Sequence, residues 1–512
     1  MTHVLRTFPA IFALSLFGSG PAWAAQRLVT PDPLPEAGAL YETLQAISGR
    51  YTLAGQHNYP ATKARNSEFA AKYTGKMPAV WTSDFGFAAA GDTDSYLARP
   101  EIVAEAVRQH RQGALVSLCW HAVPPTASEP VTFQPKPGAD PARLQSVQGR
   151  LTDEQFRDVL TPGTELHAKW QEQVDAIAVF LKQLQDARVP VLWRPYHEMN
   201  GNWFWWGGRT EGPHTTAALY RQIFDRLVRH HGLKNLIWVW SVDRVTRPGM
   251  EHDRYFPGLE FVDVLALDVY RNDFAQSYYD SLVALSGGKP LVLAEVGNPP
   301  GADVLARQSR WVYYVTWAGM VRNTTRKQYA ELFRDPRVLN LADHAYAGAM
   351  AGYRRACGLP PIAIPVPPAD FSGTWVLNEE LSRFGPFGPG FTPVRLSVTQ
   401  RDGRLTVQST LLSEYADDEV SEQSYSLDGR ETKHVFRNLP RMTKARISAD
   451  RSAIILESTS DVPFGPPGTK WQTEERWTLE ESGQKLVIHN VSPAFGESPP
   501  GRVEQTFVYE RR

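Results

Sequence analysis

Residues 189–207 read VPVLWRPYHEMNGNWFWWG, and this stretch has the pattern from which the fold is predicted. Its apolar run stops abruptly in polar and aromatic residues, as a buried strand does where a loop begins. Similar short runs recur along the chain, separated by helix-compatible stretches such as Trp170–Ala187 and Ala217–His231. The runs are Tyr51–Ala54, Ala79–Trp81, Ala114–Trp120, Val189–Trp193, Asn235–Trp240, Val262–Leu267, Pro290–Ala294 and Val312–Trp317. Strands that alternate with helices in this way predict an α/β fold, a parallel sheet closed into a (β/α)₈ TIM barrel.

Proline-rich segments mark the limits of that barrel. Residues 25–36 are rich in proline and are predicted to form an extended leader, so the barrel domain should span residues 37–358. The prolines within residues 359–369 exclude a helix and predict a stiff linker. Beyond it, residues 370–512 are predicted to form a smaller all-β, barrel-like domain. Its clearest strand-like runs are Val394–Gln400, Leu405–Ser409, Ala453–Ser458, Glu475–Leu479 and Gln505–Tyr509.

The role of this C-terminal domain stays open. Its opening, Asp370–Trp375, loosely resembles the first strand of lipocalin-like barrels, which implies a small closed barrel but no particular ligand. Binding of a surface or polymer and a purely structural role are both compatible with the pattern.

The N-terminus predicts export. Arg6 precedes the apolar run Ile11–Phe17, and the small residues of Ala22–Ala24 suit a signal-peptidase site, so residues 1–24 are predicted to be a cleaved signal peptide. The run is much shorter than the roughly 20 apolar residues of a spanning helix. We therefore expect a secreted or periplasmic protein without membrane insertion.

Composition narrows the partners and the chemistry. A net charge of -1 gives no basic excess for nucleic acid, and we expect a monomer that binds an uncharged polymer. Cys119 and Cys357 are too few for a disulfide framework, although a single bridge stays open. The pair His197-Glu198 lacks the second histidine of a zinc helix, because that position holds Gly201. Neither a metal nor an organic cofactor is expected.

Two glutamates follow strands that should meet at one mouth of the barrel. Glu198 comes after the fourth strand and Glu295 after the seventh, while the third strand ends in Trp120-His121. One carboxyl group that protonates a leaving oxygen and one that attacks a carbon or activates water are the two parts of glycosidic bond hydrolysis. Such a pair about 5–5.5 Å apart would retain the anomeric configuration. Either glutamate alone could be an ordinary ion-pair partner.

Aromatic residues surround the first of these glutamates. Trp203, Trp205 and Trp206 are predicted to stack on sugar rings, because they lie in a loop and present flat apolar faces. Trp193, Trp238 and Trp240 lie on strands and are predicted to be at least partly core.

The chain resembles glycoside hydrolase family 26 over residues 40–350. The resemblance is carried by Gly55-Gln56-His57-Asn58, Trp120-His121, the block Arg194–Gly207, Leu236–Asp243, Ala266–Tyr270, and Glu295 with its neighbours. It implies a retaining endo-β-1,4-mannanase with Glu198 as acid/base and Glu295 as nucleophile. It further implies that Arg194 and Tyr270 hold and ionise the nucleophile, and that His197 takes the place of an asparagine near the sugar 2-hydroxyl. The resemblance also assigns His121, Trp203 and Trp317 to the sugar subsite beside the cleaved bond.

Other activities remain open beside β-mannan cleavage. The same family contains mixed-linkage β-1,3-1,4-glucanases and β-1,3-xylanases, which the motif does not separate from mannanases. A protein of another class, an inactive carbohydrate-binding protein, would keep the aromatic residues. The presence of both glutamates argues against that alternative.

Overall fold

A computed structural model describes the chain over nine segments. These are residues 27–86, 98–140, 143–364, 368–385, 388–413, 416–436, 439–461, 470–494 and 501–512. The signal peptide predicted over residues 1–24 lies outside them. The chain divides into two compact units, one that ends at Ile364 and one that begins at Pro365.

The first unit is a closed parallel barrel, as predicted. Strand β1 pairs with β8 on one side and with β2 on the other, which closes the ring, and a short β9 joins the edge of β1. Each of the eight barrel strands overlaps one predicted run. The strands are β1 Thr52–His57, β2 Val80–Asp84, β3 Leu115–Trp120, β4 Val191–Pro195, β5 Leu236–Asp243, β6 Val264–Val269, β7 Leu291–Val296, β8 Trp311–Thr316 and β9 Val338–Leu339.

Helices surround the barrel, and local sequence explains where several of them begin or end. Thr152 and Gln155 form a capping box that starts α4, and Thr164 caps α5. Gly113 ends α3 with a left-handed φ of 112°, which a residue without Cβ adopts at little cost. The α-helices are α1 Pro35–Ile47, α2 Arg65–Thr74, α3 Arg99–Gln112, α4 Asp153–Leu160, α5 Glu165–Asp186, α6 Thr216–Phe224, α7 Gln276–Leu285, α8 Ala302–Arg307, α9 Arg326–Leu332 and α10 His344–Ala356.

The barrel strands are buried on both faces, because side chains fill the inside and helices cover the outside. Trp193, Trp238 and Trp240 are fully buried, in agreement with the prediction of core positions. Cys119 and Cys357 are free thiols. Among the described residues, no helix combines the length and hydropathy that crossing a membrane requires.

The second unit is an antiparallel sheet of ten strands that curls into a nearly closed barrel, which confirms the all-β prediction. Its end strands, β13 and β14, follow each other directly in the chain. Trp375, Leu405, Leu486 and Tyr509 belong to its buried core. The strands are β10 Gly373–Leu377, β11 Arg395–Arg401, β12 Arg404–Leu411, β13 Glu419–Ser426, β14 Asp428–Phe436, β15 Leu439–Ile447, β16 Ala453–Asp461, β17 Lys470–Glu480, β18 Lys485–Pro493 and β19 Arg502–Arg511.

Candidate active site

A cavity of about 250 Å³ opens at the carboxyl ends of the barrel strands. Of the eight residues that the family resemblance assigned to the site, seven line it, and the eighth, Arg194, contacts Glu295 from strand β4. A larger groove of about 980 Å³ runs along the loop after β3 and the start of α5, but none of the predicted site residues lines it. The lining residues of the smaller cavity are His121, Phe133, Gln148, His197, Glu198, Trp203, Phe204, Tyr270, Glu295 and Trp317.

The carboxylate of Glu295 is held by two donors. Arg194 Nη2 donates to its Oε2 at 2.7 Å, and the Tyr270 hydroxyl donates to its Oε1. Arg194 Nη1 also donates to Asp268 Oδ2 at 2.7 Å. Burial lowers the pKa of Arg194, but the charges of Asp268 and Glu295 outweigh that effect and raise it, so the guanidinium stays charged. Burial and the charge on Glu295 raise the pKa of Tyr270, which therefore remains a hydrogen-bond donor.

Glu198 lies in a different electrostatic environment. Burial raises the pKa of this carboxyl group well above its ordinary value, and the negative charge on Glu295 raises it further. Trp203 Nε1 donates to Glu198 Oε2 at 2.5 Å, which opposes the rise. The backbone at Glu198 is left-handed, with φ 49°, and Gly201 N closes the turn on its carbonyl oxygen at 2.9 Å. The Glu198 carboxyl group therefore favours its protonated form more than an ordinary glutamate does, and it lies in the same cavity as the ion-paired Glu295.

His121 is fixed by a buried carboxylate. Its Nδ1 pairs with Asp84 Oδ2 at the end of β2, and its backbone nitrogen donates to Asp84 Oδ1 at 3.1 Å. Burial raises the pKa of Asp84, but the pairing with His121 outweighs burial and holds this pKa well below its usual range. The carboxylate thus sets the tautomer and the orientation of the His121 ring.

Two further histidines are uncharged. His57 stacks on Trp317, with ring centroids 3.9 Å apart and planes inclined by 19°. Burial lowers the pKa of His57 to about 3. The ring of His197 meets that of His121 at a centroid distance of 4.3 Å, and burial lowers the pKa of His197 well below its ordinary value. Neutral imidazoles can each donate and accept one hydrogen bond.

A metal could be considered near these rings, because ligand atoms of His57, Asp84 and Cys119 lie within 4.8 Å of one another. Asp84, however, already accepts hydrogen bonds from Cys119 Sγ at 3.1 Å and from Gly86 N at 2.8 Å, in addition to pairing with His121. Its oxygens are thus engaged within the protein.

The sequence matches the family model of glycosyl hydrolase family 26 over residues 29–343. The chain belongs to glycosyl hydrolase family 26. The match ends before the second unit, which begins at Pro365.

Two similar relatives are named as mannan endo-1,4-beta-mannosidases. A mannan endo-1,4-beta-mannosidase of Thermothelomyces thermophilus is 33% identical over 323 residues, which are 60% of this chain and 60% of that protein. Mannan endo-1,4-beta-mannosidase B of Piromyces sp is 28% identical, over 61% of this chain and 53% of that protein. The match thus spans just over half to three fifths of these relatives.

Solved family 26 structures share the barrel. The structure of GH26A from Muricauda sp. MAR_2010_75 is 38% identical, with a TM-score of 0.56, over 61% of this chain and 98% of that one. The Podospora anserina GH26-CBM35 beta-(1,4)-mannanase is 30% identical, with a TM-score of 0.52, over 66% of this chain and 72% of that one.

The prediction that Trp205 and Trp206 stack on sugar rings is wrong for this family 26 chain. Trp205 and Trp206 are 1% and 0% exposed, so neither can stack on a sugar. Their indole nitrogens donate to Ala122 O and His197 O, each at 2.8 Å, which ties the loop to the ends of β3 and β4. Trp203 alone of the three tryptophans lines the cavity.

Several residues in or next to the cavity were not predicted from the sequence. Phe133 and Gln148 come from the long loop after β3, which carries no periodic pattern. Phe204 lay within the aromatic block but was assigned no role. Asp84 and His57 end strands β2 and β1, so the rule that selected the two glutamates would also have selected them.

Proposed function

We propose that this protein is a retaining glycoside hydrolase that cleaves β-1,4-linked mannan, glucomannan or galactomannan within the polymer by double displacement. The observation that carries the proposal is the pair Glu198 and Glu295, which line one cavity in opposite electrostatic environments. The substrate class follows the names of the mannosidase relatives. Action outside the cytoplasm is part of the proposal and rests on the signal-peptide pattern alone.

In the first step, the Glu295 carboxylate attacks the anomeric carbon, and the bond from that carbon to the leaving oxygen breaks. Arg194 and Tyr270 hold the attacking carboxylate in place. Glu198 donates its proton to the leaving oxygen, because its raised pKa keeps it protonated. The product is a glycosyl ester of Glu295 and a shortened chain with a free hydroxyl.

In the second step, Glu198 changes from acid to base. The ester removes the negative charge of Glu295, which is one cause of the raised pKa of Glu198, so this pKa falls. The Glu198 carboxylate then takes a proton from a water molecule while the oxygen of that water attacks the anomeric carbon. Glu295 leaves as carboxylate, and two inversions give overall retention.

The remaining cavity residues bind the sugar in this proposal. Trp203 and Trp317 each keep part of their ring exposed and supply apolar faces. His121 and His197 are adjacent polar rings that would contact the 2-hydroxyl region, where mannose differs from glucose. This region would decide between mannan and β-glucan.

Two substitutions test the mechanism because each removes one step. Glu295→Ala should abolish turnover, and azide should restore cleavage of an activated dinitrophenyl glycoside with inverted configuration. Glu198→Ala should still undergo the first step with that substrate, since a good leaving group needs little protonation, and azide should then give a product of retained configuration.

A matched control is Glu331→Ala, which removes an exposed carboxylate of α9 and should leave turnover unchanged. Exchanged rescue patterns, or an inverting wild type, would contradict the two roles. Product analysis on galactomannan, glucomannan, barley β-glucan and β-1,3-xylan tests the substrate. Faster release from β-glucan than from the mannans would replace the mannanase proposal with a glucanase.

A further inference from the structure

The inner face of the second unit changes from apolar to polar along its strands. Directly opposed residues of an antiparallel sheet share a face, and so do residues two positions apart on one strand. One row across four adjacent strands is apolar and consists of Ile454, Trp477, Ile488 and Phe507. The next row on the same face consists of Leu456, Glu475, Asn490 and Gln505.

The polarity continues in the following rows. Thr443, Ser458 and Thr473 face one another, and beyond them lie His434, Arg441, Ser460 and Trp471. Hydrogen bonds organise these inward groups. The bonds are Arg441 Nη2 to Thr473 Oγ1 at 2.6 Å, Thr443 Oγ1 with Ser458 Oγ at 2.8 Å, Asn490 Nδ2 to Gln505 Oε1 at 2.8 Å, and Trp477 Nε1 to Glu475 Oε2 at 2.9 Å.

Two charged residues on different strands affect the same tyrosine of this unit. Burial raises the pKa of Tyr425 on strand β13, Glu475 on β17 raises it further, and Arg441 on β15 opposes the rise. Glu475 and Arg441, which lie on different strands, thus both affect the pKa of Tyr425 on a third strand. Arg441, Glu475, Asn490 and Gln505 are only half-buried, whereas the apolar core residues such as Leu486 are fully buried. Solvent therefore reaches the polar half of the barrel.

A small barrel needs apolar side chains inside for stability, and inward polar groups lose hydration without adding to that core. The polar rows are therefore suited to a ligand. Arg441 and Glu475 have opposite charges, so the interior favours a neutral molecule over an anion or a cation. Amides, a carboxylate and a guanidinium provide both donors and acceptors for hydroxyl groups, and Trp477 and Phe507 lie below them.

We propose that the polar half of this barrel, formed by Arg441, Glu475, Asn490 and Gln505, binds the end of a saccharide chain. The adjacent apolar row is part of the packed core, so a chain end or a short oligosaccharide fits better than a chain that passes through. The choice of a β-mannan chain rests on the proposed function of the first unit. The site would keep the enzyme on its polymer.

Titration calorimetry with mannohexaose tests this on the full chain carrying Glu295→Ala, which blocks turnover. Two sites per chain are expected, one in each unit. Adding Glu475→Gln should weaken one site at least tenfold and leave the other unchanged. The matched control is Glu474→Gln, because Glu474 is the adjacent, exposed residue on the outer face of β17. In the otherwise wild-type chain, Glu475→Gln should leave hydrolysis of a dinitrophenyl glycoside unchanged.

A single site in the parent chain, or equal weakening by Glu474→Gln and Glu475→Gln, overturns the proposal. If Glu475→Gln lowers the thermal stability of the second unit, Asn490→Ser provides the same comparison against the outward-facing His489→Ser.

Titration with cellohexaose and xylohexaose distinguishes failure of the saccharide site from failure of the proposed mannanase function. Glu475-dependent binding of cellohexaose in a chain that does not hydrolyse mannan would retain the saccharide site and reject the mannanase function. Mannan hydrolysis without any Glu475-dependent binding would retain the mannanase function and reject the saccharide site.

Discussion

Replacement of Trp203 by phenylalanine should shift the pH dependence of catalysis upward. The indole Nε1 of Trp203 donates to Glu198 Oε2 at 2.5 Å and favours the ionised carboxylate. Trp203→Phe keeps an aromatic face in the cavity and removes only the donor. The opposing influences on Glu198, burial and the charge of Glu295, remain and raise its pKa further.

The size of the shift follows from the strength of that hydrogen bond. A hydrogen bond to a charged group contributes roughly 1.5–3 kcal/mol, and one pKa unit corresponds to about 1.4 kcal/mol. The pKa of Glu198 should therefore rise further in the variant, by an amount set by the energy of that hydrogen bond. Because the protonated form of Glu198 is the active one in the proposed mechanism, activity should persist to higher pH, and the alkaline limb of kcat/KM should move up with the pKa of Glu198.

The assay is kcat/KM for a soluble galactomannan as a function of pH, since this ratio reports groups of the free enzyme. Trp317→Phe is the control, because it replaces another indole of the same cavity with a smaller ring. Trp317 stacks on His57. This substitution should lower kcat/KM without displacing the alkaline limb. An alkaline limb that stays in place or moves down in Trp203→Phe would refute the role given to this hydrogen bond.

Three further predictions concern other contacts of the molecule. Asp84→Asn removes the charge that orients His121 and should lower kcat/KM by roughly 10–100-fold, mostly through KM; an unchanged KM would contradict the positioning role. Tyr270→Phe removes one donor to Glu295 and should lower kcat by a similar factor, on the order of 10–100-fold, with little change in KM, as steady-state kinetics can measure. A chain that ends at Ile364 should fold and hydrolyse soluble substrate at the full-length rate, and insolubility or inactivity would show that the second unit supports the first.

The fold of the first unit was predictable because its strands are buried on both faces. Such strands appear as continuous apolar runs, and these runs are separated by helical stretches. The strand ends were less predictable. Strand β5 was predicted to stop at Trp240 but continues to Asp243, because Ser241 and Asp243 are polar residues within the strand. The apolar pattern cannot detect a strand whose last residues face a polar active site.

The candidate site was partly predictable for a geometric reason. Residues that end parallel strands meet at one mouth, which brings Glu198 and Glu295 into the same cavity although they are far apart in sequence. The contacts between neighbouring strand ends could not be read in this way. The pairing of Asp84 with His121 and the stacking of His57 on Trp317 depend on the barrel register, which only the structure defines.

The aromatic block after β4 has two physical roles, and their difference explains the wrong prediction. A left-handed backbone such as that of Glu198, with φ 49°, costs on the order of 1–3 kcal/mol and persists only where packing enforces it. Burial of a large apolar side chain contributes roughly 1.5–3 kcal/mol, so Trp205 and Trp206 together can outweigh that strain. Their indole nitrogens also bind backbone oxygens beside the turn, including that of His197. The two buried rings thus hold Glu198 in position, while Trp203, which is partly exposed, faces the cavity and lowers the pKa of Glu198.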